Sequence, residues 1–181
     1  MNKIVLVIIV IIVLLLLWII ITNNSFNKLL IKIDEAESGI DVALQKRHDV
    51  LVKMVDVVKS YAKYEEDTFS KIVELRNGMT MKEKQDVQTS QNETIDKIHI
   101  LAEQYPQLRS SENYKMLQVS INDVEEHLQA ARRLFNSNIS LYNQKLVSFP
   151  ASIIGSSIKH LEKRTFFEVQ EGATADVKMD L

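Results

Sequence analysis

Cysteine is absent from the 181 residues. That excludes a disulfide framework, a thiolate zinc site and a thiol nucleophile. Proline occurs twice and glycine four times, too few for a disordered or collagenous chain and too few turn formers for an all-β domain. No charge of one sign dominates: 22 basic residues against 24 acidic leave a formal net charge of -2. A dedicated nucleic-acid binder with its basic face is therefore not expected. There is no G-x-S-x-G elbow, no glycine-rich phosphate loop and no H-E-x-x-H pair. The four histidines, His48, His99, His127 and His160, have no i,i+4 partner among themselves. Neither a metal, a cofactor nor a catalytic activity is expected.

What the chain does have is one long apolar run. Ile4 to Ile21 is seventeen Ile, Val or Leu residues plus Trp18, with no charge inside. As a helix it would reach about 27 Å, close to a bilayer's hydrocarbon core. Backbone groups in lipid must be paired internally, so this β-branched run is expected to be helical despite its low propensity in water. Trp18 near the exit suits an interfacial aromatic. A cleaved signal peptide is the rival reading. Its apolar core is about 7–15 residues and ends in small residues, whereas this run is longer and Thr22-Asn23-Asn24-Ser25 makes a poor cleavage site. A retained single-pass anchor is expected. Lys3 on one flank and Lys28 and Lys32 on the other nearly balance, so charge alone does not choose a side. The span carries no small-xxx-small motif, which leaves self-association open.

Behind the anchor the apolar residues recur at helical spacing. The first stripe runs Phe26, Leu29, Ile33, Ala36, Ile40, Leu44, Leu51, Val55, Val58, Ala62, Phe69 and Ile72, as one helix or two nearly collinear ones. Asn77-Gly78 reads as its carboxyl-terminal cap and turn. Thr80-Met81-Lys82-Glu83 has capping-box form, which predicts a second helix from Met81 to about Glu103, ended by Tyr105-Pro106. Its polar first half, Lys82 to Glu93, reads as a solvated face. Ser110 or Ser111 caps a third helix in which Tyr114, Ile121, Leu128, Phe135, Tyr142 and Phe149 recur every seven residues. A short apolar helix is expected over Ala151 to about Leu161. The organisation predicted is a flank at 1–3, an anchor at 4–21, a helical bundle at 25–168 and a flexible acidic tail at 169–181.

An ordered set of residues resembles the LemA family of bacterial membrane-anchored proteins. It opens with Phe26-Asn27-Lys28-Leu29 and continues through Ile40-Asp41-Val42-Ala43-Leu44-Gln45-Lys46-Arg47, Tyr61, Glu65 and Arg76. Tyr105-Pro106, Glu125, Ala131-Arg132-Arg133-Leu134-Phe135-Asn136, Tyr142-Asn143, Phe149-Pro150 and Phe166-Phe167-Glu168 follow in order. The chain departs at Val50-Leu51-Val52-Lys53-Met54-Val55, where members usually read Leu-Ile-Pro-Asn-Leu-Val; the proline of a family-typical kink is missing. The resemblance implies an all-α fold, an elongated four-helix, bromodomain-like up-and-down bundle behind one transmembrane helix. It also implies a cytoplasmic bundle and a family without an agreed activity.

Arg47 and Glu65 interrupt the first apolar stripe, and Glu125 and Arg132 flank the seam of the third helix. With Arg76, Asn136 and Asn143 they make a candidate structural polar network that fixes helix register, because buried charges must be paired. The alternative is a small-ligand site between helices. Phe166-Phe167 is expected to close the open end of the bundle, the alternative being an aromatic-basic contact with the membrane surface. The functional expectation is a non-enzymatic structural or interaction protein of the bacterial cell envelope, with protein partners and the membrane as its contacts. Its alternatives are a ligand-binding sensor module and an accessory subunit of a membrane protease.

Overall fold

The computed structural model describes residues 3–61, 76 and 78–168, without the side chains of 157 and 158. All regular structure among them is helical. Helix α1 spans Lys3–Tyr61, α2 Met81–Gln104, α3 Pro106–Ser110 and α4 Glu112–Val147; a π-helical turn follows at Ile153–Ile158. Glu65, Asn77, the last stripe positions Ala62, Phe69 and Ile72, and the acidic tail at 169–181 lie outside the described residues.

The apolar run and the first amphipathic stripe share one helix: α1 passes through Thr22-Asn23-Asn24-Ser25 without a break. These four polar residues carry no proline or glycine, so nothing in them stops a helix already propagating on both sides. The same holds at Val50 to Val55, where the absent proline leaves α1 uninterrupted.

The capping box at Thr80 forms as the sequence implies. Thr80 Oγ1 accepts from the Glu83 backbone N–H at 3.3 Å, and the Glu83 carboxylate accepts from the Thr80 N–H at 2.7 Å. Burial is absent at Glu83, and these bonds hold its carboxyl below the usual glutamate range. Gly78 supplies the left-handed backbone of the preceding turn, at φ +81°. Tyr105-Pro106 ends α2, and Pro106 then starts the five-residue α3, where its missing N–H costs nothing. Ser111, rather than Ser110, caps α4, its Oγ accepting from the Tyr114 N–H at 3.3 Å.

The described chain divides into two compact units, 1–37 with 134–166 and 38–133 with 167–181, and α1 and α4 contribute to both. In the first unit Phe26, Ile33 and Ala36 of α1 are buried, as are Phe135, Ile139, Tyr142 and Leu146 of α4 and Ile154 of the π-helical turn. The rings of Phe26 and Tyr142 meet edge to face, 6.2 Å between centroids. Gly155 sits so close to this core that a Cβ there would lie 2.7 Å from Leu146 Cδ1 and 3.0 Å from Phe26 Cζ. In the second unit the core joins Leu51, Met54, Val55 and Val58 of α1 to Ile98, Leu101 and Ala102 of α2, Leu108 of α3, and Tyr114 and Ile121 of α4.

Two sequence readings need correction. Phe149 continues the seven-residue period but is 81% exposed, because α4 ends at Val147 and the period loses its helical meaning beyond it. The polar half of α2 is not a solvated face: Lys84, Val87, Gln91 and Thr94 are buried along it. Their three- and four-residue spacing is a core stripe written in polar residues, which a pattern of apolar residues cannot reveal.

Candidate functional site

The buried stripe of α2 meets polar groups from α1 and α4 within the second unit. Arg47 is the centre, only 3% exposed. Its Nη2 donates to Asn92 Oδ1 at 2.6 Å and pairs with Glu125 Oε2 at 3.0 Å, while Nη1 donates to the Gln88 carbonyl at 3.4 Å. Burial lowers the Arg47 pKa from its usual value; Glu125 raises it back and the guanidinium of Arg132 opposes that recovery. An arginine stays charged under any ordinary condition, so the site holds a fixed cation clasped by two other helices.

About two turns away a second pair repeats the device. Lys84 Nζ of α2 meets Asp41 Oδ1 of α1 at 2.6 Å. Between the two pairs Gln91 Nε2 donates to the Leu44 carbonyl at 3.3 Å. Arg132, two turns along α4 from Glu125, has its pKa lowered by burial and raised by that carboxylate, and its guanidinium lies 5.1 Å from the Phe167 ring centroid. Arg47 Nε, His48 Nδ1, Gln91 Oε1 and Arg132 Nε are buried without a hydrogen-bond partner among the described residues. The chemistry available here is charge neutralisation and register: each helix is tied to another by a bond that a slip of one residue would break.

The sequence-predicted site residues divide between this layer and other places. Arg47, Glu125 and Arg132 gather in it. Arg76 is exposed ahead of α2; its N–H donates to Met79 Sδ at 3.4 Å and its charge helps hold Glu83 low. Glu65 lies outside the described residues. Asn136 is half-buried on α4 and has an interaction partner. Asn143 serves the first unit instead. Its Nδ2 donates to the Arg164 carbonyl and its Oδ1 accepts from the Arg164 N–H, both at 2.9 Å. Together with Tyr142, whose hydroxyl donates to the Glu162 carbonyl at 3.1 Å, it holds an extended segment that has no regular structure of its own. Of the aromatic pair, Phe167 is buried and Phe166 is 43% exposed.

Asp41, Lys84, Gln91 and Asn92 were missed in the sequence. For Lys84 and Gln91 the signal was present: Lys84, Val87, Gln91 and Thr94 fall at core spacing on a helix that Thr80 starts. A recess of about 250 Å³ was missed as well. It is lined by His99, Ala102 and Glu103 of α2, Arg109 of α3, and Tyr114 and Gln118 of α4. Gln118 Nε2 donates to the Tyr114 hydroxyl at 3.2 Å, which leaves the phenolic hydrogen free to point elsewhere. Burial raises the Tyr114 pKa, and Gln118 and Arg109 moderate the rise. Among the described residues no three His, Asp or Glu side chains gather as metal ligands would.

Fold and site together define an all-α protein: a bundle of helices with an internal polar layer, led by the one helix among the described residues that is apolar and long enough to cross a membrane. Within that class the sequence model of the LemA family matches residues 36–181, and the chain belongs to this family. The match starts ten residues later than the first resembling motif and runs beyond the closing aromatics. The chain is also similar to Protein LemA of Metamycoplasma hominis, with 27% identity over 151 residues, covering 81% of this chain and 68% of that protein.

Proposed function

We propose that the protein is a single-pass, membrane-anchored interaction protein of the bacterial envelope that presents helical faces to protein partners. The observation that carries this reading is the continuity of α1. Every apolar residue from Ile4 to Leu17 is exposed, and the same helix supplies core residues from Phe26 to Val58. Such a surface is costly in water and stable in lipid, and an unbroken helix transmits its position to the folded part. A non-enzymatic role is supported by the way the buried charges are spent: Arg47 on Glu125 and Lys84 on Asp41, as a lock rather than on an open cleft. Family membership suits an anchored protein without an agreed activity, and the bundle is assigned to the cytoplasmic side on the resemblance alone.

Membranes carrying the full chain are to be washed with alkaline carbonate. Retention in the pellet is the expected result, and release of the intact chain would overturn the anchor. Crosslinking in native membranes followed by mass spectrometry tests the interaction role, which fails if no envelope protein is recovered with the bundle.

A second reading, a ligand-binding module, is favoured by the recess beside Tyr114. Arg109 and Glu103, opposite in charge, both line it, which suits a small zwitterion. Amino acids added to the detergent-solubilised protein should raise its melting temperature by mass action, and the rise should disappear in Arg109→Ala.

A further inference from the structure

Within the first unit α4 runs back along α1 in a fixed register. Asn138 Nδ2 donates to the Lys32 carbonyl at 2.9 Å, and seven residues further along α4 Lys145 reaches Ser25, seven residues back along α1. Two more residues bring α4 to its end at Val147, level with Asn23. The turn beyond, through Phe149 and Pro150, therefore arrives beside Ile21, the last residue of the apolar run. Packing on α1 changes at the same level: Thr22 is 6% exposed and Ile21 66%.

Three large apolar side chains of the turn are exposed, with Ser148 the exposed polar residue among them. Val147 is 60% exposed, Phe149 81% and Ile153 45%. Folding in water gives no reason to cluster them there, next to the point at which α1 leaves the folded unit. Basic groups stand on the adjoining side. Lys145 Nζ lies 5.2 Å from the Phe26 ring centroid, and Lys159 Nζ donates to Asn27 Oδ1 at 2.8 Å. Apolar side chains at one level with lysines just behind them match the acyl boundary and anionic headgroups of a bilayer.

We infer that the turn from Val147 to Ile153 is a second membrane contact, set into the headgroup–acyl boundary beside the emerging α1. This rests on the anchor reading above. It makes the protein's hold on the membrane two-point: α1 crosses, and the turn rests on the surface and restrains the unit from swinging about the helix.

The absence of native cysteine permits a direct test. The full chain carrying Phe149→Cys is labelled with a nitroxide and reconstituted in vesicles of phosphatidylcholine and phosphatidylglycerol. Leu134→Cys is the reference, an exposed site in the same unit about 20 Å back along α4. Oxygen, which partitions into lipid, should relax the Phe149→Cys label more than a water-soluble nickel chelate does, and Leu134→Cys should show the reverse. Ile153→Cys should follow Phe149→Cys. The inference is overturned if the protein floats with the vesicles while Phe149→Cys is as open to the chelate as Leu134→Cys. It is overturned equally if that label is shielded from both reagents and broadened by a second spin, since the turn would then seat a second copy. Failure to float is a different result, which removes the anchor and this contact with it.

Discussion

Arg47 shows how one side chain in the wrong-looking place can organise three helices. It occupies a core stripe, and its charge would be prohibitive there without partners. Asn92, the Gln88 carbonyl and Glu125 supply them. Arg47→Ala should therefore cost about 2–3 kcal/mol, toward the low end for a buried pair because Glu125 is 34% exposed and water softens its loss. Arg47→Met combined with Glu125→Leu should recover most of that loss, because an apolar replacement of both partners removes the uncompensated charge. Chemical denaturation of the solubilised protein checks both, with Arg47→Met and Glu125→Leu alone completing a double-mutant cycle; a double-variant loss equal to the sum of those two single losses would show that the pair is not coupled. Gly155 makes the opposite kind of demand, for the absence of a side chain. Gly155→Ala should destabilise by about 1–3 kcal/mol, as overpacking against Leu146 and Phe26 does.

Helices carry the next level, and their ends were the most legible part of the chain. Thr80 with Glu83, Tyr105-Pro106 and Ser111 mark boundaries by local hydrogen bonding that needs no tertiary partner. Thr80→Ala should lower stability by about 1 kcal/mol. The pH dependence has a definite sign. Glu83 has a folded pKa below its unfolded value, so its stabilisation is fully present above the ordinary glutamate pKa and is lost as pH falls through the depressed folded value. Glu83→Gln should lower the melting temperature at neutral and alkaline pH and flatten the acid limb over that window, so that the two proteins converge below it. The interior of α1 is a further case. The family pattern that the sequence resembles has proline where this chain has Val52, and α1 is unbroken here. Val52→Pro should cost about 3 kcal/mol through a lost helix bond and a clash one turn back, seen as a lower melting temperature. An unchanged melting temperature would mean that the packing around α1 accepts a kink.

At the scale of the whole molecule, the anchor proposed above makes the two halves of α1 answer to different solvents. The apolar run should insert with several kcal/mol to spare, so one arginine at its centre is tolerable and two are not. Ile11→Arg together with Leu14→Arg adds roughly 5–7 kcal/mol on insertion scales and should move the chain from the carbonate pellet to the supernatant, whereas Leu14→Arg alone should leave most of it behind.

Composition and spacing alone determined that the regular structure of the described residues is helical, where α2 starts and ends and where α4 starts, and that the leading segment is suited to lipid. Those properties follow from hydrogen bonds and apolar periodicity a few residues apart, and a linear text records both. Only the tertiary structure decided which polar residues are interior. Lys84 and Gln91 look solvated in the sequence and are buried because Asp41 and the Leu44 carbonyl meet them from another helix. Phe149 looks like core and is exposed because α4 ends two residues before it. A buried polar group is stable only through a partner far along the chain, and an apolar one is buried only if its helix lasts long enough to carry it inward; neither condition is written at the residue itself.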